Sequence, residues 1–180
     1  MSTTQNKINK MMIAIILIAQ FSFIPQTKAA AIFKDLDEQE VYEIIPSKDV
    51  NWINGISTLD LVLIQRHILD IESLKSPYLI IAADANNDGK VTASDLTILR
   101  KLILGIISYI PENQSWRFVD KSFVFKDVAL PWPFPSKIFI DSTDLFSLNE
   151  DFVGIKIGDV NYSADPSLRS KRTESRNASD

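Results

Sequence analysis

The chain of 180 residues has no cysteine, one histidine (His67) and five glycines. Without cysteine there are no disulfides, thiolate zinc sites, iron–sulfur clusters or cysteine nucleophiles, and no lipid anchor on an N-terminal cysteine. A single histidine excludes a two-histidine metal site such as a zinc protease helix. Gly55, Gly89, Gly105, Gly154 and Gly158 form neither a phosphate-cradling loop nor a dinucleotide fingerprint. Carboxylate chemistry and the binding of hard cations remain. Charge is unevenly spread. Residues 1–31 hold three lysines and no acid, which leaves 16 basic against 23 acidic residues in the remainder. Such an acidic body repels nucleic acid and anionic membranes, and suits cations or basic protein surfaces.

The amino terminus reads as an address. Lys7 and Lys10 precede an apolar run of 14 residues, Met11 to Ile24; Pro25 breaks it, and Ala29, Ala30 and Ala31 follow. This is the layout of a cleaved signal peptide over residues 1–31, and the run falls short of the roughly 20 residues that span a bilayer. A linker over 32–48 is expected next. The mature chain is then exported, secreted or at a bacterial cell surface, with no membrane contact after cleavage.

Two segments align at an offset of 35 residues: Asp49 to Asp70 and Asp84 to Gly105. Self-similarity of this kind means one supersecondary unit used twice. Each unit reads as a loop and then a helix, because Leu61, Ile64 and Ile68, like Leu96, Leu99 and Ile103, recur at helical spacing. Ser76-Pro77 reads as the cap and first residue of a short helix, Tyr78–Ala83.

The second loop carries the sharpest signal. Asp84, Asn86 and Asp88 stand at positions 1, 3 and 5, Gly89 at 6, Lys90 at 7, Thr92 at 9 and Asp95 at 12. That spacing is how an EF-type loop wraps calcium. Alternate residues turn their oxygens to one centre, Gly89 permits the sharp turn, Lys90 offers its carbonyl, and Asp95 closes the sphere from the following helix. The alternative is an Asx-rich turn that merely caps the helix. In the first loop Asp49, Asn51, Ser57 and Asp60 occupy positions 1, 3, 9 and 12, but Ile53 replaces the position-5 acid and Gly55 comes one place late. A weaker calcium site is expected there, with helix capping as the alternative. A third Asp-x-Asn, Asp159-Val160-Asn161, is either a strand-end turn, which is the plainer reading, or a segment that returns to the first loop with oxygens.

The doubled loop-helix, Asp-x-Asn-x-Asp-Gly-x-x-Thr-x-x-Asp followed by Leu-x-x-Leu-x-x-x-Ile-Leu-Gly, resembles a type I dockerin over about residues 49–105. The segments Asn54–Leu69, Pro77–Ile106, Trp116–Val119 and Phe152–Asn161 are similar to dockerin-like modules that end large surface proteins of gliding-type bacteria. The resemblance implies calcium as cofactor and a cohesin-like partner domain. By position, its partner-binding residues are Ala93, Ser94, Arg100 and Lys101 in the second copy, and Thr58, Leu59, Gln65 and Arg66 in the first.

The expected fold is mainly α with added short β. Two EF-hand-like loop-helix motifs (49–70 and 84–105) pack antiparallel within a module spanning 49–161, with a small irregular β-rich segment over 106–161. Alternation suggests strands at Ser122–Phe125, Lys137–Ile140 and Phe152–Ile157, and most of the many aromatics there should be core. A polar, disordered tail is expected over 162–180. The function expected is a secreted, calcium-binding docking module of a polysaccharide-degrading or cell-surface assembly. It is not an enzyme, carries no catalytic cargo and binds no nucleic acid. The alternative is a small carbohydrate-binding or glycoside-hydrolase-associated module, using an exposed Trp116 or Trp132 in the first case.

Overall fold

A computed structural model describes residues 41–141 and 152–167. The expected signal peptide, the first part of the linker, Phe146 and the tail from residue 168 lie outside the described residues. In chain order the elements are β1 (Val41–Ile44), α1 (Thr58–Ile68), α2 (Pro77–Ala83), α3 (Ala93–Ile103), β2 (Trp116–Asp120), β3 (Ile138–Asp141) and β4 (Phe152–Lys156). The fold is mainly helical with a few short strands.

The helices begin and end where local chemistry puts them. Ser57 and Thr92 are the N-caps of α1 and α3, and Asp60 and Asp95 reach back from the third helical position to complete capping boxes. Both helices stop alike. Asp70 and Gly105 take positive φ of 54° and 68°. The following amides of Ile71 and Ile106 return to the carbonyls of Arg66 and Lys101, the Schellman arrangement. Pro77 opens α2 behind Ser76, which suits its missing amide hydrogen.

α1 and α3 pack on each other, and α2 packs on β4. Ile64, Ile81, Leu99, Val119 and Ile157 are fully buried in one core, which draws on both helix copies and on the β segment. Two antiparallel ribbons complete the molecule. β1 pairs with β3, Val41 facing Asp141, and β2 pairs with β4, Trp116 facing Lys156 and Asp120 facing Phe152. The strand β2 has no counterpart among the expected strands, and Ser122–Phe125 forms none. Asp120 instead makes a turn there, its carboxylate accepting from the Ser122 amide and hydroxyl. Phe123 and Phe125 still pack against the core, stacked edge to face.

Ordered structure extends beyond both ends of the expected module, 49–161. β1 lies inside the stretch expected to be linker. At the other end, Tyr162–Ser167 is laid on the domain rather than free: the Ser163 hydroxyl donates to the Gly55 carbonyl at 2.9 Å, and Asn54 exchanges two hydrogen bonds with the Asp165 backbone. Among the described residues, no helix is long and apolar enough to cross a membrane.

Candidate metal loops and an exposed helix face

The second loop is built from the end of α2 to the start of α3. Asp84 is the C-cap of α2, so the helix delivers its carboxylate into the interior, where it is fully buried. The chain then turns back over it. The Asp88 amide donates to Asp84 Oδ1 at 3.1 Å and the Gly89 amide to Oδ2 at 3.0 Å. Two left-handed residues make the turn, Asn87 with φ of 59° and Gly89 with φ of 80°. Asn86 Oδ1 accepts from the Asp88 amide at 3.1 Å, and Asp88 Oδ1 from the Lys90 amide at 3.0 Å. From α3, the buried Asp95 takes the Asn86 amide on Oδ1 at 3.1 Å and the Thr92 amide on Oδ2 at 2.8 Å. Asp84, Asn86, Asp88, Thr92 and Asp95 are thus tied into one loop.

Among the described residues these carboxylates accept from N–H and O–H donors of the loop itself, with Arg117 in the field of Asp84. Burial chiefly, then the negative charges of Asp95 and Asp88, push the Asp84 carboxyl up to about 6, against the partial relief of its two amide bonds. A buried anion that has gathered donors but no full cation carries a desolvation cost. Among the described residues no three acidic, histidine or cysteine side chains are drawn together as a ready metal-holding group. The side-chain oxygens are engaged by the loop's own amides instead. The donor set is all oxygen, hard and anionic, which suits a hard divalent cation such as calcium.

The first loop departs from its expected form. Ser57 and Asp60 are joined: the Ser57 amide and hydroxyl donate to Asp60 Oδ2 at 2.9 and 2.8 Å. Asp49 and the Asn51 backbone make their hydrogen bonds elsewhere. Asp49 is exposed and accepts from the Ser115 amide at 2.8 Å, which fastens the chain to the start of β2. Asn51 takes a positive φ of 50° in a turn closed by the Asn54 amide on its carbonyl. The partner of Asp60 comes from the other end of the chain, because its Oδ1 accepts from the Val160 amide at 2.9 Å. Asp159 beside it repeats the habit of Asp84. Its Oδ1 takes the amides of Asn161 and Ser163 at 3.1 Å, and its Oδ2 that of Ala164 at 2.8 Å. Asp159-Val160-Asn161, the third Asp-x-Asn of the sequence, is thus the segment that meets Asp60.

Several residues at these loops carry no sequence signal. The Asn113 amide group donates to the carbonyls of Asp84 and Ala85, both at 3.1 Å. Arg117 on β2 donates to Asn87 Oδ1, lies over the Phe134 ring and sits in the field of Asp84. Lys156 on β4 is buried, donates to the Trp52 carbonyl at 2.7 Å and is lowered to about 8 by burial, opposed by Asp159 and Asp49.

The residues assigned to partner binding are all on the surface. Thr58, Leu59, Gln65 and Arg66 on α1, and Ala93, Ser94, Arg100 and Lys101 on α3, are exposed. The two faces differ in character. Leu59, Val62, Arg66 and Leu69 follow one line along α1, and its three apolar members are 50–58% exposed. The equivalent line on α3 is Ser94, Thr97, Lys101 and Leu104. Arg66 also pairs with Glu72 at 3.0 Å. Trp116 is buried and Trp132 packs half-buried on the core, so neither forms an open aromatic platform for sugars.

Residues 47–104 match the family model of the dockerin type I domain. The match spans α1, the loop 84–95 and α3, and ends before β2. Neither the curated proteins nor the solved structures offer a match to the chain.

Proposed function

We propose that the chain, whose residues 47–104 are a dockerin type I domain, is a secreted docking module that calcium stabilises and that a cohesin-like domain recognises. The observation that carries the calcium reading is the burial of Asp84 and Asp95 in one loop with no cation facing them squarely. Calcium would be held by Asp84, Asn86, Asp88, the Lys90 carbonyl, Thr92 and Asp95. It would supply the positive charge those carboxylates lack and lock α2 to α3. The chain's own part is to hold the donors: α2 fixes Asp84, the capping box of α3 fixes Asp95, and Gly89 turns the backbone over both.

For docking, the line Leu59, Val62, Arg66 and Leu69 on α1 is the stronger of the two candidate faces. It offers apolar area with one cation, the pattern of an interface centre. Thr58 flanks it, and Ala93, Ser94, Arg100 and Lys101 form the corresponding, more polar face of α3. The dockerin domain is a docking module and is not itself catalytic. Its place in a polysaccharide-degrading or cell-surface assembly is the setting proposed for the whole chain.

Binding to a panel of immobilised cohesin domains tests this, in millimolar calcium and in chelator. Capture in calcium only, and lost in Leu59→Asp/Val62→Asp with unchanged thermal stability, is the expected result. Calcium-independent capture, or none across the panel, overturns it.

A further inference from the structure

We propose that residues 159–164 and 55–60 form one split loop of twelve positions that holds a second divalent cation of the calcium type, built from two distant parts of the chain. The proposal rests on reading 84–95 as a calcium loop, because that loop is its template. The two halves meet where a peptide bond would lie in a continuous loop. A Cβ placed on Gly55 would fall 2.5 Å from Ala164 Cα, so the backbones of positions 6 and 7 abut.

At positions 1, 3, 4, 9 and 12 the halves correspond to the second loop, while Ser163 and Ala164 stand where it has Asp88 and Gly89. Asp159 stands for Asp84, and each carboxylate accepts from the amides four and five residues on. Asn161 stands for Asn86. Tyr162 stands for Asn87, and the two share φ of 61° and 59°, a conformation a tyrosine rarely adopts. Gly55 brings its carbonyl to position 7, where the Ser163 hydroxyl already reaches it. Ser57 and Asp60 stand for Thr92 and Asp95, with the same capping box; Asp60 Oδ1 takes the position-2 amide of Val160, where Asp95 Oδ1 takes the position-3 amide of Asn86.

A separate observation points to a ligand. Asn161 Oδ1 is shut off from solvent and has no hydrogen-bond partner. A buried carbonyl without a donor is costly, and it lies at the position where the template supplies a cation ligand. Asp60 is fully buried and Asp159 nearly so, at 6% exposure. Their donors are all oxygen: two carboxylates, the Asn161 carbonyl, the Gly55 carbonyl and the hydroxyls of Ser57 and Ser163. Lys156 lies in the field of Asp159 but donates to the Trp52 and Ile157 carbonyls. With two carboxylates instead of three, this site is the weaker one. It also ties the segment after β4 to the start of α1, so the cation would clasp two parts of the domain about 100 residues apart in sequence.

Calcium titration of the chain by calorimetry, with four variants, tests the assignment. Two ions are expected. Asp88→Ala removes the tighter and leaves the weaker. Asp159→Asn removes the weaker, and Asn161→Ala weakens it by at least about tenfold, since donor count sets affinity in such loops. Asn161→Ala deletes an acceptor that bonds to nothing, so the calcium-free protein keeps its stability and misfolding cannot imitate the result. Asp49→Ala leaves both ions. A single ion, abolished by Asp88→Ala, overturns the split loop and spares the docking reading. No ion overturns both. Loss of the second ion in Asp49→Ala but not in Asp159→Asn overturns the split loop in favour of a continuous one.

Discussion

Replacing Asp84 with asparagine should stabilise the calcium-free protein and destabilise the calcium-loaded one. In the fold this carboxyl stands at about 6 instead of 3.8, raised first by burial and then by Asp95 and Asp88. A raised acid destabilises the folded state wherever it is ionised. The cost is absent below pH 3.8, grows between 3.8 and 6, and is full above 6. At about 1.4 kcal/mol per pH unit its ceiling is ~3 kcal/mol. Asparagine removes the charge but keeps one acceptor for the two amides of Asp88 and Gly89, which returns ~1 kcal/mol of that. The net expectation is a gain of about 1–2 kcal/mol at pH 7 in chelator, falling to zero or slightly below at pH 4. Urea unfolding followed by the fluorescence of the buried Trp52 and Trp116 measures it as a difference between variant and parent, so other titrations cancel. In calcium the order reverses, because a ligand is gone. A gain that is the same at pH 4 and 7, or a loss at pH 7 in chelator, would refute the electrostatic account of the loop.

Gly158→Ala should cost about 2–4 kcal/mol in the same assay, since φ is 86° and a Cβ would lie 2.7 Å from both Ile56 Cδ1 and Leu99 Cδ2; a cost below ~1 kcal/mol would mean that the core yields there. Lys156 is lowered to about 8 from 10.5 by burial, so the unfolded chain holds the extra proton between these values. Stability should therefore rise with pH across 8 to 10.5, relative to Lys156→Met, which lacks that rise. An identical pH profile for the two would contradict it. Arg117→Met should leave the calcium-free fold within ~1 kcal/mol and tighten calcium at the Asp88-dependent site, because a cation in the field of Asp84 is removed. Weaker calcium binding would instead assign Arg117 a positioning role.

The helices were legible because their determinants are local. Ser57 with Asp60 and Thr92 with Asp95 sit three residues apart, and Ser76-Pro77 adjoins the helix it starts. The loop 84–95 was legible as a unit because its residues are consecutive. The contact of Asp60 with the far end of the chain was not. The repeat matched Asp49-Val50-Asn51 with Asp84-Ala85-Asn86, whereas the chain places Asp159-Val160-Asn161 beside Asp60. The residues before Gly55 meet distant ones, Asp49 the Ser115 amide and Trp52 the Lys156 ammonium. Strand β2 escaped because its pattern is not alternating: Trp116, Phe118 and Val119 are all buried, one ribbon face covering the core and the other edge meeting Lys48. Arg117 and Asn113 meet the second loop through contacts 28 to 30 residues distant in sequence, which no local pattern records.

Thermal unfolding of the chain with and without calcium tests the central claim most directly. An ion that binds only the folded state adds ~2.7 kcal/mol at a hundred times its dissociation constant, which for a domain of this size raises Tm by about 10 °C. The account predicts that rise in calcium, its reversal by chelator, and a smaller rise in Asp88→Ala, where only the weaker ion is left. An unfolding temperature that calcium leaves unchanged in the parent chain would contradict it.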